Sequence, residues 1–137
     1  FEGSWIQKSG GTNRRIALSD GTATNRILIQ NVNSAENRLQ FYVLNSSGTS
    51  TDFSTTLSDI TDNNKIAFKY KENNFCVFIN GIKVLTDTVG TTFSVGTLNT
   101  LAFDGGDGGF DFYGNCKDIR VYNEALTDAQ LQTLTTL

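Results

Sequence analysis

The fold is decided by residues 113–134, which have the sequence YGNCKDIRVYNEALTDAQLQTL. Ile119 and Val121 alternate there with polar residues, and this period of two is typical of a half-buried β-strand. We therefore expect a final strand whose Ile119 and Val121 side chains lie in the core.

A short helix is predicted directly after this strand. Thr127 precedes Gln130 by three residues, which is the spacing of a capping box. Leu126 and Leu131 occupy the two positions of a hydrophobic staple around the same cap. We expect a helix of about two turns that packs on the rest of the domain through Leu131 and Leu134.

Upstream, short apolar runs alternate with polar turn residues, which predicts a meander of short antiparallel strands. An Asn-Arg pair begins three of these runs, at Asn13, Asn25 and Asn37. Residues 45–56 are rich in Ser, Thr and Gly, so we expect a loop there. The predicted strands of this half contain residues 16–18, 27–29 and 39–44.

Residues 65–72 give the clearest strand signal, because apolar and charged side chains alternate along them. Ile66 and Phe68 belong to the face that we expect in the core, while Lys69 belongs to the face that we expect in water. Residues 75–79 are apolar on both faces and predict a central strand.

Asn80 and Gly81 follow that strand and predict a type I′ hairpin turn, whose two central residues need positive φ. The return strand is predicted at residues 82–85, and another strand at residues 98–103. Together these runs predict about ten strands and one helix, in an all-β sandwich of two antiparallel sheets. We expect Ile66, Phe68, Phe78, Ile119 and Val121 in its core.

Bulk composition agrees with a polar-surfaced β-protein in a single domain spanning residues 1–137. The chain is 38% hydrophobic and only 18% charged, and it contains ten Phe, which favour strands and bury large areas. It starts at Phe1 and contains no Met, so we expect a segment of a longer protein.

Charge and residue content exclude several functions. The net charge is −3 and the basic residues are scattered, which argues against nucleic acid as a partner. No apolar run approaches the roughly 20 residues that membrane insertion requires. The chain has no His, and it therefore lacks the commonest general base and metal ligand.

The stretch from Gly114 to Leu126 resembles the closing signature of laminin-G-like, concanavalin-A-like jelly-roll domains, G-x-x-x-D-h-R-h-Y-x-x-A-L, where h is apolar. The end of the predicted central strand, at Asn80-Gly81, is similar to the h-x-h-N-G of the same family. The sequence of these segments looks most like that of phage-tail and marine-virus members of the family. The resemblance implies a jelly roll that works as a binding module, with ligands on loops at the sandwich ends.

One departure from the family pattern concerns the first strand. Family domains usually open with an A-L-x-F-x-G strand, which this chain lacks. Its first strand pair would then be absent, rearranged or supplied by a neighbour. An unpaired sheet edge recruits another strand, so we expect an assembled context with neighbouring protein subunits.

The best candidate site is the glycine- and aspartate-rich stretch of residues 104–111. Asp104, Asp107 and Asp111 lie within it, and oxygen ligands of this kind suit Ca²⁺. Phe110 and Tyr113 stand beside them as flat platforms for a sugar ring. We expect Asp104, Asp107, Phe110 and Tyr113 to line the functional rim, with the carboxylates either holding Ca²⁺ or accepting hydrogen bonds from sugar hydroxyls.

Most other aromatic residues fit a core better than a site. For Trp5 and Tyr42 the sequence leaves two alternatives, a platform for a sugar ring or a place in the core. The residues assigned to the core are Phe41, Phe68, Phe75, Phe78 and Phe103.

The cysteines and the carboxylates are the candidates for a disulfide and for hydrolytic catalysis. Cys76 and Cys116 are the only cysteines; one disulfide is possible, but we expect free thiols. The four Glu residues form no closely spaced acid pair of the kind that glucanases use. We therefore expect no enzyme activity.

These observations predict a non-catalytic recognition domain that binds a cell-surface glycan or receptor, within a virion or extracellular protein. The alternative is a purely structural virion module, in a capsid decoration, tail or fibre, that binds only protein. A glycoside hydrolase is the third and least supported hypothesis.

Overall fold

The structure is a computed structural model that describes residues 1–8 and 11–137, and in it two five-stranded antiparallel sheets face each other. Its elements are β1 (Glu2–Trp5), β2 (Arg14–Ser19), β3 (Arg26–Asn31), β4 (Arg38–Asn45), β5 (Gly48–Thr56), β6 (Asn64–Lys71), β7 (Asn74–Ile79), β8 (Ile82–Asp87), β9 (Thr100–Ala102), β10 (Gly114–Asp118) and α1 (Asp128–Thr135). The first sheet has the order β10-β1-β6-β7-β8 and the second β5-β4-β3-β2-β9. The predicted two-sheet jelly-roll sandwich with one short C-terminal helix is confirmed.

The side chains of the second sheet alternate between its two faces, and the inner face is apolar. The opposite, outer face carries polar side chains, and the candidate site lies there. The inward-facing residues are Ile16, Leu18, Ile27, Ile29, Leu39, Phe41 and Val43.

The loop predicted at residues 45–56 is wrong for most of its length, because β5 occupies Gly48–Thr56. Thr51 is buried and Phe53 packs on the core, while Asp52 between them is exposed. This alternation is a strand pattern that the abundance of Ser and Thr conceals. The strand forms because β4 pairs with it along its whole length.

Strand β7 is buried on both faces, as predicted. One face contacts the second sheet through Phe75 and Val77, and the other packs Cys76 and Phe78 against Leu131 of α1. The helix therefore covers the outer face of the first sheet.

The hairpin after β7 also follows the prediction, with φ of 51° at Asn80 and 81° at Gly81. The expectation that Lys69 faces water is wrong, since its side chain is only 7% exposed. Its ammonium lies 2.8 Å from the Asp128 carboxylate at the start of α1. The helix supplies both the cover and the counter-charge that keep this lysine buried.

Trp5 belongs to the core, where it is 1% exposed and lies edge-on to Phe112. Phe41, Phe75 and Phe78 are buried as expected, whereas Phe68 is only half-buried. The expectation that Phe103 lies in the core is wrong, since this residue is 43% exposed. The reason is that β9 is a three-residue edge strand that ends at Ala102.

The helix begins as predicted. The Thr127 hydroxyl accepts a hydrogen bond from the Gln130 backbone N–H, and the Gln130 side chain accepts one from the Thr127 N–H, which completes the capping box. Leu126 packs with Leu131 in the expected staple. Leu134, however, is 37% exposed, because Leu131 and Thr135 are the residues of α1 that face the sheet.

The predicted last strand is misplaced. Strand β10 ends at Asp118, which is paired with Glu2, and the following residues have no ladder partner in the described part of the chain. Ile119 is consequently half-buried and Val121 is 53% exposed, so the expectation that both lie in the core is wrong.

Both cysteines are free thiols, Cys76 buried and Cys116 exposed, as expected. Within the described ranges, no helix combines the length and apolar character needed to cross a membrane.

Candidate functional site

A continuous chain of hydrogen-bonded side chains crosses four strands on the outer face of the second sheet. The Arg15 Nε donates to Gln30 Oε1 at 2.7 Å, and Gln30 Nε2 donates to Gln40 Oε1 at 2.9 Å. Gln40 Nε2 then donates to Asp52 Oδ1 at 2.9 Å. We call these four residues the polar array.

Strand register produces the array. Arg15 lies opposite Gln30 in the β2–β3 ladder, and Gln30 lies opposite Gln40 in the β3–β4 ladder. Asp52 lies opposite Tyr42, two positions along β4 from Gln40. Side chains at such positions share one face, so these residues lie side by side.

The charges around the array are close enough to influence one another. Burial and the neighbouring Arg26 guanidinium lower the pKa of Arg15, while Asp107 acts in the opposite direction. Burial and the Asp52 carboxylate raise the pKa of Tyr42, so its hydroxyl keeps its proton at neutral pH and can donate. The face thus presents cations, an acid and a phenol together.

The loop of residues 104–110 lies flat on the same face, next to β2 and β3. The Gly105 carbonyl accepts a hydrogen bond from Arg26 Nη1 at 2.6 Å. Gly106 has φ of 86°, and a Cβ there would lie 2.9 Å from the Ser19 Cβ. The close approach of this loop to the sheet therefore depends on glycine.

Phe110 ends the loop beside the array. Its carbonyl accepts a hydrogen bond from the Arg15 backbone N–H at 3.0 Å, and its ring lies 3.8 Å from the Arg15 guanidinium carbon. The ring is 44% exposed, so it offers apolar surface to a ligand next to the array.

The predicted site residues are brought to this region to different degrees. Asp107 lies 3.5 Å from Arg26 Nη1, which places it beside the array together with Phe110. Tyr113 is exposed, but its ring contacts Arg14 at 5.7 Å. Arg14 precedes Arg15 in β2 and projects toward the other face, so Tyr113 lies apart from the array.

The three aspartates predicted as Ca²⁺ ligands have separate roles. Asp104 Oδ1 accepts a hydrogen bond from the Gly106 N–H at 2.5 Å, and Asp107 Oδ1 accepts one from the Gly109 N–H at 3.4 Å. At Asp111, the backbone carbonyl accepts from Arg14 at 3.4 Å. In residues 1–8 and 11–137, no three His, Cys, Asp or Glu side chains gather where they could hold a metal ion.

Sequence reasoning missed Arg15, Gln30, Gln40 and Asp52 as site residues. A signal was present, since polar side chains alternate with apolar ones along β2, β3 and β4. Which of them become neighbours depends on the register between strands, which the alternation does not give. Asp52 was further concealed by the prediction of a loop.

The chain belongs to the laminin-G-type family described as the concanavalin A-like lectin/glucanases superfamily, whose pattern matches residues 4–132. No curated protein matches the sequence.

Solved structures share the fold at low sequence identity. The CBM40 module of the Ruminococcus gnavus IT-sialidase, solved with α2,3-sialyllactose bound, has a TM-score of 0.75 and 16% identity, over 98% of this chain and 79% of that one. A leech intramolecular trans-sialidase has a TM-score of 0.71 and 18% identity, over 98% of this chain and 22% of that one. At these identities the likeness shows the fold alone.

Proposed function

We propose that this domain is a non-catalytic module that recognises a cell-surface glycan on the outer face of its second sheet. The observation that carries the proposal is the polar array from Arg15 to Asp52, with the exposed Phe110 ring at its edge. Membership of a lectin-type superfamily agrees with it.

The chemistry of the face suits a sugar. A sugar ring presents hydroxyl groups that need donors and acceptors, and C–H faces that pack on aromatic rings. Arg15 uses its Nε within the array, and its terminal nitrogens form no hydrogen bond in the described part of the chain. Together with the Tyr42 hydroxyl and the Asp52 carboxylate, they supply the few placed polar groups of a specific binding site.

Guanidinium groups favour an acidic glycan as the first ligand to test. Arg26 is only 12% exposed and is bonded to the loop, so it contributes positive charge, while Arg15 on the same face would contact the ligand. Arginine pairs with carboxylates through two parallel hydrogen bonds. The R. gnavus CBM40 module is described with a bound sialyllactose, which is an acidic sugar of this kind. We therefore propose sialylated glycans as the ligand class.

The pKa values of several carboxyl groups are shifted in the direction opposite to the one that glycoside hydrolysis requires. A catalytic acid needs a raised pKa. Hydrogen bonds from neighbouring side chains instead lower the pKa of Glu2, Asp20, Asp59 and Asp128. These four carboxyls are therefore poor candidates for a catalytic acid, and the proposal is binding without turnover. It fits a module in an extracellular or virion-surface protein, where cell-surface glycans are accessible.

The test is a glycan array that contains matched sialylated and unsialylated oligosaccharides, followed by titration of the best ligand. Arg15→Ala should lose binding, whereas Arg120→Ala should retain it. Arg120 is a matched control because it is an exposed arginine on the other side of the domain, paired with Asp118. Absence of binding to every glycan by the wild-type domain would overturn the proposal and favour the structural virion module.

A further inference from the structure

A groove of about 1190 Å³ opens between the two sheets and reaches the inward-facing residues of β2 and β3, whereas the polar array lies on the outer face of the same strands. One wall is β6 and the other is the segment 118–126 that follows β10. Exposed apolar residues line it, including Leu101, which is 42% exposed, and Val121, which is 53% exposed. Apolar surface concentrated in a groove indicates an interaction site.

The β6 wall is an unsatisfied strand edge. Phe1 and Ile66 exchange two backbone hydrogen bonds, of 3.0 and 2.8 Å, and the β1–β6 ladder ends at this pair. In an antiparallel ladder every second residue bonds to the same neighbour, so the backbone groups of Phe68 and Tyr70 also point toward the groove. Within the described part of the chain they have no backbone partner on that side.

The opposite wall has the alternating sequence of a β-strand after Asp118, but it is not paired with another strand in the described part of the chain. Ile119 and Val121 alternate with polar residues, but β10 stops at Asp118, opposite Glu2. A strand placed in line with β1 would lie between this segment and β6. It would cover the two apolar side chains that the alternation assigns to the core.

We propose that the groove receives an extended strand, joined to Phe1 and collinear with β1, which runs antiparallel to β6. Counting back from the Phe1–Ile66 pair, the second and fourth residues before Phe1 lie opposite Phe68 and Tyr70. These two positions share the inward face of Phe1 and take apolar side chains, with polar ones between them.

The environment of the Phe1 nitrogen supports a strand joined there over one from a separate chain. Burial lowers the pKa of the Phe1 ammonium, so a charge is disfavoured at this point of the ladder. A peptide N–H would donate the same hydrogen bond to the Ile66 carbonyl without a charge. The strand would also enter in line, with no intervening loop.

The test compares three forms of the 137-residue chain that differ in four residues placed before Phe1. The first carries Val-Thr-Val-Thr, with valine at the two inward positions. The second carries Thr-Val-Thr-Val, which moves the same residues to the other face. The third carries Gly-Ser-Gly-Ser as a flexible baseline.

The first form should melt several degrees above the other two, and hydrogen exchange at the Phe68 and Tyr70 amides should slow by about tenfold or more. Equal melting and equal exchange in all three forms would overturn the proposal. A free peptide that protects these amides when the joined segment does not would equally overturn it, since the strand would then come from a separate chain.

Discussion

The guanidinium carbon of Arg15 lies 3.8 Å from the centre of the Phe110 ring, although the two residues are 95 positions apart in the chain. The contact joins the loop of residues 104–110 to the sheet. It also fixes the orientation of Arg15, the arginine of the polar array. Loop geometry and array geometry are therefore linked at this pair.

Phe110→Ala should weaken glycan binding by about tenfold or more, as expected for an aromatic anchor at a binding site. Its effect on stability should be only about 0.5–1 kcal/mol, because an exposed cation–π contact contributes little more. Titration of the glycan and thermal unfolding separate the two effects. Tyr122→Ala is the control, since Tyr122 is 42% exposed but lies on the groove side of the domain. Equal loss of binding in both variants would contradict the assignment.

Gly106→Ala should prevent the loop from lying on the sheet, because the new Cβ would come within 2.9 Å of the Ser19 side chain. We expect a destabilisation of about 1–3 kcal/mol together with reduced glycan binding. Gly108→Ala is a close control: its φ of 82° gives similar backbone strain, but the space around it is open. Chemical denaturation and glycan titration measure both variants. Equal stability and equal binding of Gly106→Ala and Gly108→Ala would contradict the packing argument.

Thr127→Ala should destabilise the domain by about 1 kcal/mol, because it removes the hydroxyl that accepts from the Gln130 N–H. Thr133→Ala provides the comparison. Thr133 is exposed within α1 and donates to the Ala129 carbonyl, so alanine there should be neutral or slightly stabilising. Urea unfolding of the two variants measures the difference, and equal midpoints would show that the cap contributes nothing.

Elements whose signal is local could be predicted from the sequence. Asn80-Gly81 and the Thr127 capping box each act over two to four residues, and both have the predicted conformation. The failures at Ile119, Val121 and Lys69 have another origin. Whether a strand continues, or a lysine is covered, depends on neighbours that are distant in sequence: Glu2 for β10, and Asp128 for Lys69.

The same distinction applies to the candidate site. Phe110 and Asp107 could be proposed from a local cluster of glycine, aspartate and aromatic residues. The array could not, because its three hydrogen bonds join residues 15, 10 and 12 positions apart. Their meeting requires the register of three strand pairs, which no single stretch of sequence contains.

Stability should fall in acid partly through Asp59. Hydrogen bonds from Lys8 and Thr61 lower the pKa of this carboxyl from 3.8 to about 2. A carboxyl with a depressed pKa stabilises the folded state fully above its unfolded value of 3.8, and this contribution disappears as the pH falls toward 2. Wild type should therefore melt above Asp59→Asn at pH 7, and the gap should close between about pH 4 and pH 2. A gap that stayed constant over this range would contradict the pKa shift.

Chelation should leave both glycan binding and thermal stability unchanged. The Asp104 carboxylate already accepts the Gly106 N–H within the loop, and Asp107 lies 3.5 Å from Arg26 of β3, so each carboxylate has a protein partner. In the alternative, Asp104, Asp107 and Asp111 hold Ca²⁺, and the ion would raise the melting temperature by mass action because it binds only the folded protein.

Melting and glycan retention of wild type and the double variant Asp104→Ala/Asp107→Ala, each with Ca²⁺ and with a chelator, distinguish the two. We expect the double variant to bind glycan more weakly than wild type in both conditions, because the loop that supports Phe110 is loosened. A melting temperature that rises with Ca²⁺ in wild type and not in the double variant would instead establish a calcium site. A double variant that matched wild type throughout would show that the loop is only a turn.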